Sequence, residues 1–420
     1  MRVAIVGAGP AGLALAKQLK DRNIAFDVFE RDADVGGVWN IQNRHSVMYE
    51  SAHTISSKTM TEFSEFPMPT HYSDYVSHHR MLDYLRSYVQ EFKLLDKITF
   101  DTKVEHISYD SQKYFLKTSD GKQESYDHVA IASGHASLAY IPESGFDSFQ
   151  GRVIHSSEYK EPSIFLNKRV LVVGAGNSGC DIACDAVSHA ERVSLSIRRG
   201  YYFIPKFLLG MPADVFGETS VKLHLPMRLR QIINQIMLRV FQGNIHKFGF
   251  PKPDHRFFES HPIINELLVY YVRHGDIDIC ADIRDVEATT VNFIDGKKVE
   301  FDVIVLATGY KPDFSFLDAV LVPENNDLHL NLFSKKHYGL SFLGFVAPNG
   351  GVLGLIESQA IAVAKAIALN KGKTDFLSMI ENSPALNGGI KYLNTVRHRF
   401  EVDLTTYQRE INKQIKQFEL

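Results

Sequence analysis

Two stretches of this chain repeat one pattern of apolar and polar positions. Val3, Ala4, Ile5 and Val6 form a continuous aliphatic run, as in a strand buried on both faces. Gly7-Ala8-Gly9-Pro10-Ala11-Gly12 follows, and the Ala- and Leu-rich segment from Leu13 to Leu19 then predicts a helix. Val170 to Val173 lead in the same way into Gly174-Ala175-Gly176-Asn177-Ser178-Gly179, and Asp181 to Val187 lead out. Strand, G-x-G-x-x-G and helix in this order aim backbone N–H groups at a pyrophosphate; the glycines permit the tight turn, the close approach of phosphate and the packing of helix on strand. Two such units predict two bound dinucleotides.

Between and beyond them, residues 1 to about 40 read as strand, helix, strand and acidic turn, followed by Val35-Gly36-Gly37-Val38-Trp39 with the only tryptophan. A flat ring beside paired glycines suits the border of a flavin. Residues 78 to 94 predict a helix, and 98 to 131 alternate as antiparallel strands do, closing on His128-Val129-Ala130-Ile131-Ala132-Ser133-Gly134. The run from Asp302 to Tyr310 repeats that Asp, aliphatic run and Ala-x-Gly, and is read as the chain's return to the first domain. Leu229, Ile232, Ile233, Ile236, Met237 and Val240 recur at helical spacing and predict a helix covering a core or cleft, in preference to a membrane-surface helix. Tyr201-Tyr202-Phe203 and Phe257-Phe258 are expected to pack in a core. The apolar stretch Leu340 to Ile356 is broken by Pro348-Asn349-Gly350-Gly351, a turn expected between strands, and the charged tail from about Arg397 predicts a peripheral helix that caps the fold or joins a homodimer.

The residue ending each second strand separates the two sites. Asp27-Val28-Phe29 ends at Glu30, whose carboxylate suits a free ribose 2′-hydroxyl, as in FAD or NAD; Val193 to Ile197 end at Arg198-Arg199, which suit a 2′-phosphate. The expected fold is therefore α/β, with two Rossmann-like dinucleotide-binding domains: a discontinuous first domain of residues 1–159 and 296–420, and an inserted second domain of residues 160–295.

Composition narrows the partners. In 420 residues with 45% hydrophobic and 23% charged content, a formal net charge of −3 offers no electrostatic reason to bind nucleic acid. Small-molecule partners are expected. Cys180, Cys184 and Cys280 form no C-x-x-C, so they read as buried packing residues in a reducing cytoplasm. No signal peptide or transmembrane segment is predicted. Eighteen histidines occur without H-E-x-x-H, and there is no G-x-S-x-G; neither metal nor nucleophile catalysis is indicated.

Phe149-Gln150-Gly151-Arg152-Val153-Ile154-His155-Ser156-Ser157-Glu158-Tyr159-Lys160 fits F-x-G-x-x-x-H-x-x-x-[YF]-K. With Glu30 through Trp39, Lys58 to Glu65-Phe66-Pro67, the Gly-Asn-Ser-Gly of the second loop, Leu306 to Tyr310, and Glu357-x-Gln359-Ala360, the chain resembles the flavin-containing monooxygenases across most of its length. That resemblance implies FAD on the first loop, with Glu30 at its ribose and Gly37, Val38 and Trp39 nearby, and NADPH on the second, with Arg198 or Arg199 at the 2′-phosphate. It further implies transfer of one oxygen atom from O2, through a C4a-hydroperoxyflavin, to a soft nucleophile such as an amine nitrogen or a sulfide. His155 is expected to be structural, in a segment that aligns the domains.

One departure stands out. The family stretch matching Thr54-Ile55-Ser56-Ser57-Lys58 usually reads Thr-Asn-x-x-Lys, its asparagine lying near the reacting part of the flavin; Ile55 replaces it here. Isoleucine cannot donate a hydrogen bond, so its presence is expected to shorten the life of the oxygenated intermediate unless Ser56, Thr54 or His53 substitutes for the amide, or to serve by drying the pocket. Ile55 and Ser56 are the oxygenation-pocket candidates. Two alternatives stay open: a Baeyer–Villiger ketone oxygenase, whose fingerprint normally carries tryptophan where Tyr159 stands, and an NADPH oxidase or redox-sensing flavoprotein.

Overall fold

A computed structural model describes residues 1–142, 145–222, 225–261, 263–324, 326–369, 372–393 and 399–419. The first glycine loop joins β1 (Arg2–Val6) to α1 (Pro10–Asp21), and the chain returns in β2 (Ala25–Phe29). Helix α2 (His78–Glu91) starts at Ser77, whose side chain caps the Arg80 N–H. After β3 (Ile98–Thr99), an antiparallel meander of β4 (Val104–Asp110), β5 (Lys113–Thr118) and β6 (Gln123–Tyr126) leads to β7 (His128–Ile131). The alternation over 98–131 thus reports the meander alone: Ile98–Thr99 and His128–Ile131 lie parallel to their neighbours in the main sheet.

A second unit follows, with β8 (Arg152–His155), β9 (Arg169–Val173), α3 (Asn177–Ala186) and β10 (Arg192–Ser196). Next come α4 (Ala213–Lys222), α5 (Met227–Gln242), α6 (Leu267–His274), β11 (Ile277–Cys280) and β12 (Val303–Leu306). The chain then adds β13 (Leu328–His329), β14 (Phe333–Ser334), β15 (Leu340–Phe342), α7 (Leu353–Leu369) and α8 (Leu404–Gln417). Two sheets organise these elements, a seven-stranded one in the order β13-β14-β15-β7-β1-β2-β3 and a five-stranded one in the order β11-β10-β9-β12-β8. The second is parallel throughout, and its central strands are aliphatic because helices and loops cover both faces.

Strand β12 corrects one expectation. It does not return to the first sheet but lies between β9 and β8 in the second. Its likeness to β7 has a different cause: each strand sits beside the first strand of its own unit and closes the same corner. The Arg2 and Arg169 N–H groups donate to Asp127 and Asp302 at 2.7 and 2.8 Å, and the Ala132 and Ala307 N–H groups donate to the Val6 and Val173 carbonyls, both at 2.9 Å. The second sheet therefore runs from Arg152 to Leu306 in sequence, and the first resumes with β13.

Helix α1 is buried along most of its length between β1 and α7. Ala11, Ala14, Ala360 and Ala364 keep both helices slim enough to pack closely, while Leu13, Leu15 and Leu19 are each fully buried, worth about 1.5–3 kcal/mol apiece. Helix α7 starts within the stretch expected to form strands; the Pro348–Gly351 turn connects β15 to a helix instead, and its second half reads as apolar because nearly every face is covered. The tail helix α8 is capped by Asp403 and buries Tyr407 and Ile411, closing the first unit.

Two other expectations fare differently. Phe203 and Phe257 are core residues, and the three cysteines are buried and free. Helix α5 forms, yet among the described residues Ile232, Ile236 and Val240 are 53%, 58% and 74% exposed, whereas Gln231 and Leu238 are buried. The helix borders a small buried cluster through Met237 and Leu238, while the rest of the stripe faces outward. No helix among the described residues is long and apolar enough to cross a membrane.

Candidate functional site

The two glycine loops are close copies. Gly7 and Gly174 adopt φ of +106° and +104°, and a Cβ on either would meet the following strand's carbonyl, of Ala132 at 2.7 Å or of Ala307 at 2.6 Å. A Cβ on Gly12 or Gly179 would stand 1.9 Å from the Gly7 or Gly174 carbonyl. Both helices begin at a glycine, Gly9 or Gly176, with extended backbone and no capping side chain. Pro10 stands in the first turn of α1, where its missing N–H costs nothing, and Ala11 and Gly12 follow. Uncapped first-turn N–H groups on helices of this length form an anion cradle. Gly9 is packed against the next glycine pair: a Cβ there would touch the Gly37 Cα at 3.8 Å.

Glu30 is buried, and its carboxylate accepts from the Ala8 N–H at 2.6 Å and the Asp32 N–H at 3.0 Å. Burial raises its pKa, opposed by those two donors. Val6 pairs with Phe29 and Val173 with Ser196, so the position of Glu30 is taken in the second unit by Ile197. The second loop therefore has no carboxylate where the first has one. Arg198 is exposed beside it, and the Arg199 Nε is held 2.9 Å from Asp254. Asn177 is committed to structure, its Oδ1 accepting from the Ile264 N–H at 2.9 Å; Ser178 is half-buried in the same turn.

Gly37, Val38 and Trp39 form a short helical turn against the first loop, with the Gly36 N–H on the Ala8 carbonyl at 3.1 Å. Next along the chain, the segment 54–58 is pinned from several sides. The Thr54 Oγ1 accepts from the Val76 N–H at 2.9 Å, and the Ser57 N–H and hydroxyl both reach Asp214 on α4, at 2.6 and 3.0 Å. Ile55 is half-buried. Its neighbours are partly engaged: the Ser56 hydroxyl is paired with Thr61 at 2.7 Å, the Thr54 hydroxyl accepts from Val76 and keeps its own proton to donate, and the His53 ring lies exposed with Nδ1 on the Ser51 carbonyl at 2.7 Å.

The segment Phe149–Lys160 lies across the junction of the units. Gly151 has no room for a side chain, since a Cβ would stand 2.5 Å from the Asp302 carbonyl. The Tyr159 hydroxyl donates to Asp185 at 2.9 Å, and the Lys160 Nζ donates to the carbonyls of Ser46 and Met48 at 2.7 and 3.0 Å. His155 is buried, with Nδ1 against the Ser157 hydroxyl at 2.9 Å and its ring edge-on to Tyr310; burial lowers its pKa, so it is neutral near pH 7.

Sequence reading missed the groups that meet this segment from the other side. The Tyr49 hydroxyl donates to Asp181 at 2.8 Å, the Asn265 amide donates to the same carboxylate at 2.7 Å, and the Ser51 hydroxyl bonds Asp185. Burial raises the pKa of both aspartates, against the hydrogen bonds they accept. The one available signal was the four-residue spacing of Asp181 and Asp185, which puts two carboxylates on one face of a helix. Tyr75 adds a further tie, its hydroxyl donating to the Lys206 carbonyl at 2.5 Å.

Comparison with known proteins agrees with this geometry. Residues 1–417 match the family described as flavin-binding monooxygenase-like. Flavin-containing monooxygenase 5 of Oryctolagus cuniculus is 31% identical over 447 residues, covering 98% of this chain and 82% of that protein. Flavin-containing monooxygenase 2 of Homo sapiens is 33% identical, covering 86% and 72%. In fold, the chain is similar to S-allyl-L-cysteine S-oxygenase from Allium sativum, with TM-score 0.68, 21% identity and 99% and 88% covered. It is likewise similar to cyclohexanone monooxygenase in its open form, with TM-score 0.68, 18% identity and 87% of each chain covered. Paired glycine loops, a junction-spanning segment and a match along nearly the whole chain make this protein an enzyme of the flavin-binding monooxygenase-like family, which works with FAD and NADPH.

Proposed function

We propose that the first loop, with Glu30 at the ribose and Gly37 to Trp39 alongside, holds FAD. The second holds NADPH, with Arg198 and Arg199 at the 2′-phosphate. The enzyme inserts one oxygen atom of O2 into the nitrogen or sulfur of a small soft nucleophile, in the cytoplasm. The observation that carries the cofactor assignment is the replacement of Glu30 by Ile197 at equivalent positions. A buried carboxylate favours hydroxyl donors and repels phosphate; an isoleucine beside two guanidinium groups does the reverse.

When bound, NADPH supplies hydride and the flavin supplies oxygen activation. The chain's own contribution is orientation and exclusion of water. Tyr159, Lys160, Tyr49 and Asp181 hold the junction in one register, Ser57 and Asp214 fix the segment bearing Ile55, and Ile55 presents an apolar surface there. Tyr159, where the ketone oxygenases carry tryptophan, supports nitrogen or sulfur chemistry over ketone insertion. An NADPH oxidase or redox-sensing flavoprotein is the second reading, favoured by Ile55, which has no hydrogen-bond donor where the family carries asparagine. The test is NADPH and O2 consumption with tertiary amines, sulfides and cyclic ketones, using isotopically labelled O2. Label in an N-oxide or sulfoxide supports the proposal; label in esters supports ketone insertion; hydrogen peroxide alone, with every compound, supports the oxidase.

A further inference from the structure

Outside the cofactor loops, Glu50, His78 and His79 converge at one point on the junction side of the first unit. The His79 Nε2 lies 3.2 Å from the Glu50 Oε2, and the His78 Nε2 lies 3.8 Å from the same oxygen. The three donor atoms all fall within 4.8 Å of one another. Ligands of a tetrahedral zinc ion, bonded at about 2.0–2.1 Å, stand roughly 3.4 Å apart. The two measured separations bracket that value.

His78 supplies an independent observation. It is fully buried, yet among the described residues neither ring nitrogen has a hydrogen-bond partner. Leaving a buried polar group unpaired costs about 1–3 kcal/mol, which a ligand at the ring would offset. The backbone holds this ring in place: the His78 N–H donates to the Ala52 carbonyl at 3.0 Å, and His53 bridges to Ser77 across an antiparallel pair. The start of α2 opposes a cation through its dipole, and the Glu50 carboxylate answers that charge locally.

From this convergence we infer that Glu50, His78 and His79 form a binding site for a divalent zinc-class cation, with two imidazoles and one carboxylate as ligands and water completing the tetrahedron. The surroundings of the site give it a structural role. Glu50 stands between Tyr49 and Ser51, which bond Asp181 and Asp185 of the second unit, and its own N–H donates to the Lys160 carbonyl at 2.9 Å. A cation there would tie α2 to the strap joining the two units.

The test uses chelator-treated holoenzyme titrated with Zn²⁺ by calorimetry, with Co²⁺ as a spectroscopic stand-in. Glu50 and His79 are 57% and 59% exposed, so Glu50→Gln and His79→Ala are expected to fold and keep their flavin. The expected result is one saturable equivalent in the wild type and in the control His274→Ala, with affinity reduced at least about tenfold in both Glu50→Gln and His79→Ala. The intense visible bands of tetrahedral Co²⁺ should disappear in the same two variants. Absence of a saturable equivalent in the wild type, or an equivalent that survives either substitution, overturns the assignment.

Discussion

At the scale of single residues, the two nucleotide sites differ by one position and its neighbours. Glu30 was legible because it ends an aliphatic strand at the usual distance after a glycine loop. Asp254, which holds Arg199, was not, because it comes from a loop 55 positions away with no periodicity to mark it. Replacing Arg198 and Arg199 together by alanine should raise KM for NADPH about tenfold or more, one charge-assisted hydrogen bond being worth about 1.5–3 kcal/mol, and leave KM for NADH nearly unchanged. Equal losses for both coenzymes would remove the phosphate role. Ile55 gives a second test. Isoleucine offers no donor at this position, whatever bonds Thr54 and Ser56 make to Val76 and Thr61. Ile55→Asn should therefore lower the hydrogen peroxide released per NADPH consumed; an unchanged ratio would mean that dryness, not a donor, is what this position supplies.

At the scale of elements, local pattern identified strands and helices but not always their neighbours. The Asp, aliphatic run and Ala-x-Gly of β12 says that a buried parallel strand ends beside a glycine loop; it does not say which loop. Both units use the motif, so one reading placed the strand in the wrong sheet. Apolar spacing on α5 likewise marks a face without revealing what it faces, and that face points outward among the described residues. The loops were read more securely because their glycines are dictated within a dozen residues. Gly179→Ala would drive a methyl to 1.9 Å from the Gly174 carbonyl and should destabilise the protein by about 3 kcal/mol or more, whereas Gly217→Ala, in open space on α4, should stabilise it by about 0.5–1 kcal/mol. Denaturant midpoints measure both. Equal midpoints for the two variants would show that the loop yields to the methyl.

At the scale of the whole molecule, the buried histidines should lower stability on mild acidification, opposed by the carboxyl groups of Glu30, Asp181 and Asp185, whose pKa values are raised. Burial lowers the pKa of His78, His155 and His329, and that of His128 to about 4 from an ordinary 6.5. These rings fold neutral. Between pH 6.5 and 4 the unfolded chain takes up protons that the folded chain refuses, so their contribution is present in full above 6.5 and is lost as pH drops. His128 alone should account for about 3 kcal/mol of the difference between pH 7 and pH 4. Urea titrations of the wild type and His128→Gln at the two pH values should show a smaller drop for the variant. Parallel drops would place the acid sensitivity elsewhere.

The same scale shows how the units are joined. The chain leaves the first unit through Leu138–Ala139 and comes back through Tyr310–Lys311, and these two crossings pair antiparallel, Ala139 opposite Tyr310 and Lys311 opposite Leu138. Entry and exit are thus side by side, as the two ends of a hairpin are. A two-residue turn spliced between Ala139 and Tyr310 would close the first unit on itself without stretching a bond. The second unit is in that sense a cassette, entered and left through one pair of neighbouring crossings, and a protein engineer can exchange it there.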